Sequence, residues 1–492
     1  MVDLSTTPQQ KETSAFIRTA IMASVCFLLV HLMLIFRFAP FGDEVWDLSG
    51  KCWGIYLAGG RYTVTLFRVI FSECGVPVAY GITSSIFFGL AMAIQMKILR
   101  IENVWNQFIY TGFTVSCIQL SYLMVVAYHA DSILFGLFAM SLAYWMYERY
   151  LQASGKRLIV YSSILAALGL GSYQFFGLLL PCFFLLKLLI NRDEHTSTLA
   201  AIFKKACHFA LWCIMILVLY CAFSSLGKLF CQAKDLALTS SYQHSLIMWG
   251  RMDIITNILH IGKQLTLHLL GLSYPGEWVY GTTLLPLFLL MKDIWQDKKI
   301  RSLRHVYVLI PMAVYLIPFI PLAIFGTESG ARCYLAQPLA CAAVWWLAIR
   351  PRIKQIKPWV AASISVFIML KASYVVSDMA FYQKRLYEQS LVIRAEIVSR
   401  ALKANVPEGV DINTCPIVTN APFDSQLHKR DKYWSAVPTP GNNPLESYLG
   451  TSGVQKIKHG DPVLTPVFEQ MEVYPKTGSI KYHEGNILVR LR

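Results

Sequence analysis

Charge is scarce in this sequence. Only 15% of its 492 residues are Asp, Glu, Lys or Arg, against about a quarter in an ordinary globular domain, while 55% are hydrophobic. A water-soluble fold has no means of hiding that much apolar surface, so a soluble enzyme is excluded. Also missing are a GxxxxGK[ST] loop and a dinucleotide fingerprint opening a helix after a strand, which argues against nucleotide-driven chemistry. No small-residue cleavage site follows the first apolar stretch, 16–36, so that stretch is expected to stay as a signal anchor. The twelve cysteines show no zinc-ligand spacing. Several of them, such as Cys26, Cys117, Cys182, Cys213 and Cys341, lie inside apolar runs, where cysteine behaves as a small hydrophobe. Cys52 and Cys74 share one outside loop and either pair in an oxidising compartment or stay as free thiols. No internal repeat is apparent, which counts against an inverted-repeat transporter.

What the sequence does contain is a succession of apolar runs. Eleven are placed, at 16–36, 76–96, 108–126, 133–147, 158–170, 175–189, 209–223, 279–291, 306–325, 334–348 and 359–375. The formal net charge of +15 falls in short clusters between these runs, so it reads as a topology signal and no nucleic-acid partner is expected. Counted from a cytoplasmic N-terminus, every inside loop is basic: Lys97 and Arg100, then Arg149, Lys156 and Arg157, then Lys187, Arg192, Lys204 and Lys205. The later inside loops carry Lys292, Lys298, Lys299, Arg301 and Arg304, then Arg350, Arg352, Lys354 and Lys357. The short outside connections carry only Arg332. The stretch 158–190 has basic flanks on both sides and must cross an even number of times, so it reads as a helical hairpin turning at Gly171, Ser172, Tyr173 and Gln174.

The expected fold is thus an all-α polytopic membrane protein with about eleven transmembrane helices, N-terminus cytoplasmic and C-terminus periplasmic. Residues 1–375 form the transmembrane part, with long periplasmic loops at 37–75 and 224–278, and 376–492 form a small mixed α/β periplasmic domain. Within the second loop, Ile254, Ile258, Ile261 and Leu265 recur at helical spacing beside Arg251, Lys263 and His268, the pattern of a helix lying in the membrane interface; a re-entrant or extra spanning pair is the alternative. The tail opens as a polar helix reaching about Ala404 and closes with a strand pair near 478–491.

Candidate chemistry gathers on the outer side, where nucleotide-activated donors are absent and an activated lipid is the natural donor. Asp43, Glu44 and Asp47 follow the first span; mutual repulsion and partial burial would raise one of their pKa values and leave a base for a hydroxyl, whereas the plainer reading is a capped helix start. Asp131 stands at the mouth of a tight turn as either a cap or a functional acid, and Tyr173 and Gln174 either hydrogen-bond a sugar or satisfy their turn. Arg332 would hold a departing lipid phosphate or pair with Glu328, and Lys371 would assist at the phosphate or snorkel to the headgroups.

GDEVWD after the first span, GGRYTVTLFRVIF before the second, GSYQ at the hairpin top and YQKRLYEQ opening the tail together resemble the serotype-converting O-antigen glucosyltransferases of bacteria and their temperate phages. The resemblance implies GT-C architecture and inverting transfer of glucose from undecaprenyl phosphate glucose to a sugar of the lipopolysaccharide O-antigen. It implies catalytic carboxylates at Asp43 and Glu44 and a further acid at Asp131. A DxD motif is absent, since the loop reads Asp43, Glu44, Val45, Trp46, Asp47, so no metal and no other cofactor is expected. Trp46, Trp53 and Tyr62 would offer ring faces to sugars. The rival readings are a lipid-linked oligosaccharide flippase or transporter, an O-antigen polymerase and an acyltransferase, the last needing a membrane-facing histidine such as His129.

Overall fold

The computed structural model describes residues 8–36, 56–57, 59–71, 77–124, 127–153, 155–192, 198–233, 247–251, 253–274, 276–327, 330–352, 357–402, 407, 409–410, 415, 417–420, 458–459, 462–474 and 476–490. These fall into two compact units that meet in the sequence at Ser377 and Asp378.

The first unit is helical. Its core is a row in which α1 (Pro8–Ile35) packs antiparallel on α3 (Pro77–Leu99), α3 packs parallel on α6 (Ala127–Ala153), and α6 packs antiparallel on α7 (Lys156–Ser172), with the short α2 (Tyr62–Phe71) lying against α6 and α7. Small residues set the close approaches. A Cβ on Gly89 of α3 would come within 2.4 Å of the Ala20 carbonyl of α1, so only glycine allows this seam to close. Polar side chains then fasten the interior. Ser24 Oγ donates to the Ser85 carbonyl at 2.8 Å. Tyr110 donates to Gln95 at 3.0 Å, and Gln95 donates on to Ser141 at 3.1 Å. His31 bridges the Phe27 carbonyl and Ser121 Oγ. Apart from the half-buried Ser24, these groups are buried, and each would cost several kcal/mol, roughly 2–7, if left without a partner.

Around this row sit α4 (Val104–Val115), α5 (Ile118–Met124), α8 (Leu179–Ile190), α9 (Leu199–Ala233), α10 (Ile254–Leu269), α11 (Trp278–Gly281), α12 (Leu284–Gln296), α13 (Arg304–Leu316), α14 (Ile320–Phe325), α15 (Gln337–Ile349) and, as far as Ser377, α16 (Pro358–Leu402). Among the described residues six helical stretches are long and apolar enough to cross a bilayer: Glu12–Ile35, Val78–Leu99, Ala130–Ala153, Leu199–Phe230, Arg304–Phe325 and Ala362–Phe381. The chain is therefore an all-α, multi-pass membrane protein in this unit.

The other five expected spans are shorter or broken. Segment 108–126 divides at Ser116 and Cys117 into α4 and α5, where the Cys117 N–H donates to the Thr114 carbonyl, three residues back, and the α-helical ladder is left. Segment 279–291 divides between α11 and α12. The hairpin 158–190 turns where expected: Tyr173 takes an extended backbone, and a 3-10 turn at Gln174–Leu178 leads into α8. Of the six long stretches, Arg304–Phe325 contains a 3-10 turn at Ile317–Phe319, because Pro318 and Pro321 donate no backbone hydrogen bond. The helix expected near 252–270 forms as α10, started by Asp253, whose carboxylate accepts the Thr256 N–H at 3.0 Å. Ile254, Ile255, Ile258 and Leu259 leave an exposed apolar face on it. The expected last span and the polar helix after it are one continuous helix, α16.

In the second unit four short strands, β1 (Ile417–Thr419), β2 (Lys458–His459), β3 (Ile480–His483) and β4 (Asn486–Val489), form a sheet in the order β2-β1-β4-β3. β1 runs parallel to β2 and β4, whereas β3 and β4 form an antiparallel hairpin whose turn, Glu484 and Gly485, has φ of 46° and 79°. Val418 and Leu488 cover Leu464, Phe468 and Met471 from α17 (Thr465–Glu469) and its flanks.

Candidate functional site

The GGRY segment is tied to the top of the α7–α8 hairpin. Gly60 has φ of +73°, and a Cβ there would collide with the Tyr220 hydroxyl, so the turn requires glycine. Gln174 Nε2 donates to the Gly59 carbonyl at 2.5 Å and to Tyr220 Oη at 3.1 Å. Two residues beyond Gly60, Tyr62 donates to the Ala167 carbonyl, and Thr63 donates to that of Leu168 at 2.8 Å. The consequence is the position of Arg61. Its guanidinium lies over the Tyr173 ring, 4.9 Å from the centroid. Tyr173 is buried, and its hydroxyl lies 3.9 Å from Cys333 Sγ, beside Arg332 on the 3-10 turn Ala331–Cys333. Burial pushes the Tyr173 phenol up, and the charges of Arg332 and Arg61 pull against it. Two half-buried guanidiniums from distant parts of the chain thus converge on one phenol.

Asp131 is not at a turn mouth. It lies in the first turns of α6, 3% exposed, and its Oδ1 meets Arg68 Nη2 of α2 at 2.5 Å. The Ser132 N–H also reaches Oδ1, at 2.6 Å. The face of Tyr80 covers the Arg68 guanidinium at 4.5 Å, while Arg68 Nε and Nη1 have no hydrogen-bond partner among the described residues. Arg68 is the reason Asp131 tolerates burial.

No protein-family model, curated protein or solved structure matches this chain. The assignment of roles therefore rests on the geometry of the residues themselves.

Asp43, Glu44, Asp47, Trp46, Trp53, Glu328, Cys52 and Cys74 lie outside the described residues, as does the side chain of His129. The structure brings together Tyr173, Gln174 and Arg332 and adds Arg61 to them. The Gln174 amide N–H is taken up by Gly59 and Tyr220, so it ties the hairpin top to the GGRY segment and α9 and does not serve its own turn. Lys371 is not part of this group: it is exposed on α16, over the Tyr374 ring at 5.3 Å. Among the described residues no cluster of three or more His, Cys, Asp and Glu is placed to hold a metal.

Sequence reasoning passed over one buried network entirely. His268 at the end of α10 and Glu277 before α11 are both 0% exposed, and Nδ1 lies 2.8 Å from Oε1. Gln337 Nε2 donates to the same carboxylate oxygen at 3.1 Å, and Ser273 Oγ lies 3.4 Å from His268 Nε2. Tyr274, Phe319 and Tyr334 ring the imidazole. The available signal was the intervening LGLSYPGE, a turn-rich string too short to separate the two ionisable groups in space.

Proposed function

We propose that the chain is an inverting, GT-C-type glycosyltransferase that moves glucose from undecaprenyl phosphate glucose to a sugar of the lipopolysaccharide O-antigen on the periplasmic face of a bacterial inner membrane. The observation that carries this reading is the pairing of Arg61 and Arg332 about Tyr173. Two guanidiniums at a membrane boundary match a phosphate that gains negative charge as the sugar leaves, and arginine's fork suits its oxygens. Arg61 has no acidic partner among the described residues, so its charge is available to a ligand.

In this scheme one carboxylate of Asp43 and Glu44 removes a proton from the acceptor hydroxyl, whose oxygen attacks the anomeric carbon from the face opposite the phosphate. The carbon–oxygen bond to the phosphate breaks and the polyprenyl phosphate leaves beside Arg61 and Arg332. The eleven-span threading, with the N-terminus in the cytoplasm and the tail in the periplasm, puts the GGRY segment, the hairpin top and Arg332 on one side of the bilayer and belongs to the same proposal.

The test supplies purified protein with undecaprenyl phosphate glucose and O-antigen acceptor and follows glucose transfer. Arg61→Ala and Arg332→Ala should each raise KM for the lipid donor about tenfold, the worth of one charge-assisted hydrogen bond of about 1.5 kcal/mol, and Glu44→Gln with Asp43→Asn should abolish transfer. Transfer at the parent rate by an Arg61→Ala, Arg332→Ala double variant would remove the phosphate cradle. Passage of the lipid-linked sugar across vesicles with no new covalent bond would favour a flippase.

One observation favours a second reading, acyl transfer. Ser273, His268 and Glu277 stand in the order of a nucleophile, a base and the carboxylate that orients it. Ser273 would attack an ester carbonyl while His268 Nε2 takes its proton and returns it to the leaving alcohol. Fluorophosphonate labelling at Ser273, abolished by Ser273→Ala, would support it; an unlabelled active protein would dismiss it.

A further inference from the structure

At the end of α8 remote from Tyr173, a cavity of about 210 Å³ opens among α6, α8, α9 and the start of α13. Three phenols line it: Tyr144 and Tyr147, three residues apart and so on one face of α6, and Tyr307 on α13. They are 1%, 3% and 1% exposed, and among the described residues none of their hydroxyls has a hydrogen-bond partner. Packing holds the α6 pair in place. Trp212 stacks on Tyr147 at 4.2 Å, and the Phe183 ring centroid lies 5.3 Å from that of Tyr144. Hydroxyls in buried side chains are ordinarily paired, so three without partners around one cavity point to an occupant that supplies acceptors.

The charges around the cavity narrow what that occupant is. Glu148 is taken up by Lys187 Nζ at 2.5 Å, and Lys187 also donates to the Ile98 carbonyl at 3.2 Å, so this pair adds little net charge. Lys205 of α9 lines the cavity, is exposed and has no acidic partner among the described residues, which leaves the cavity net positive. Asn191 Oδ1 accepts no hydrogen bond, but a hydroxyl, an ammonium or a water meets it equally well, so it does not discriminate between ligands. A neutral sugar offers the phenols acceptors and leaves Lys205 without a counter-charge. A carboxylate accepts in one plane, whereas these donors arrive from α6, α9 and α13, and a phosphate presents its oxygens tetrahedrally. We propose that this cavity binds a phosphate ester, whose oxygens accept from Tyr144, Tyr147 and Tyr307 and whose charge is offset by Lys205. A phospholipid headgroup and a soluble phosphomonoester share this group. The site is independent of the glucosyl-transfer reading.

The experiment uses the full chain purified in a polyoxyethylene detergent, which carries neither phosphate nor sugar. Native mass spectrometry reads retention of phosphatidylglycerol, phosphatidylethanolamine and diacylglycerol, and calorimetry follows glycerol 3-phosphate and glucose. Phosphate-bearing ligands should bind, and diacylglycerol and glucose should not. Phospholipid retention that glycerol 3-phosphate does not displace supports the site with a lipid as its ligand; binding or displacement by glycerol 3-phosphate supports it with a soluble ester. Tyr147→Phe and Tyr307→Phe keep the rings and should each weaken binding about tenfold, as should Lys205→Ala. Diacylglycerol held as firmly as the phospholipids, displacement by glucose, or failure of every phosphate ester to bind would overturn the proposal. Binding at the parent affinity by a Tyr147→Phe, Tyr307→Phe double variant would overturn the site. Should a variant fail to fold, the ligand comparison on the parent protein still decides.

Discussion

The buried pair of Arg68 and Asp131 permits a test whose outcome depends on direction as well as size. At 2.5 Å and an effective dielectric of about 20, the attraction is about 7 kcal/mol before desolvation, which costs several kcal/mol for each ion. Removing one partner should therefore destabilise the first unit by about 3–5 kcal/mol, and replacing both by apolar residues of similar size should cost little or even stabilise. The environment predicts an asymmetry between the single variants. Arg68→Met leaves Asp131 with the Ser132 N–H and removes two guanidinium nitrogens that already lack partners. Asp131→Leu leaves a buried cation that, among the described residues, has the Tyr80 ring and no acid beside it. Asp131→Leu should be the more damaging by about 1–3 kcal/mol, the cost of orphaned buried donors. Reversible unfolding in bicelles, measured for both single variants and for the Arg68→Met, Asp131→Leu double variant, gives the cycle directly. A double variant that costs the sum of the singles, or an Asp131→Leu protein as stable as Arg68→Met, would refute the reasoning.

Three further outcomes follow from the packing. Gly89→Ala should lower stability by about 1–3 kcal/mol, since its methyl would meet backbone at Ala20, whereas Gly262→Ala on α10, with nothing within 4 Å, should raise stability by up to about 1 kcal/mol; thermal unfolding of both compares them. Trp212→Ala should cost about 3–5 kcal/mol in the same assay, because it removes an indole stacked on Tyr147 at 4.2 Å and bonded to Ser163. In the second unit burial, and then the hydrogen bond to Glu396, push the Tyr474 phenol up to about 12. A raised folded pKa means that this contribution is complete below about pH 10, the ordinary tyrosine value, and is lost as pH rises toward 12, so a Tyr474→Phe variant should lose the corresponding late step in a tyrosinate absorbance titration.

Apolar runs and turn chemistry were legible from the residues alone. The hairpin at 171–174 and the closing strands near 478–491 appear where the glycines and flanking pattern place them. What the pattern concealed was continuity. Averaged hydropathy ran through Ser116 and Cys117 as though 108–126 were one rod, and it separated 359–375 from the polar helix beyond although the backbone continues unbroken. Hydropathy reports the solvent a segment prefers, and helix breaks depend on single backbone donors. The pairings of the candidate site were hidden for a related reason. Tyr173 and Arg332 were singled out by their neighbourhoods in sequence, but the meeting of Arg61 with Tyr173, or of Arg68 with Asp131, is fixed by how α2 lies on α6 and α7. Isolated charges in separate segments carry no mark of such partnership.

Helix α9 packs chiefly against α7, and only 11% of its apolar window is buried. Most of what holds it upright must then come from surrounding acyl chains. Solubilisation strips that support from this helix sooner than from α3 or α6, whose windows are 67% and 72% buried. Protease nicking at the ends of α9 should consequently report how faithfully a given detergent or nanodisc replaces the native bilayer.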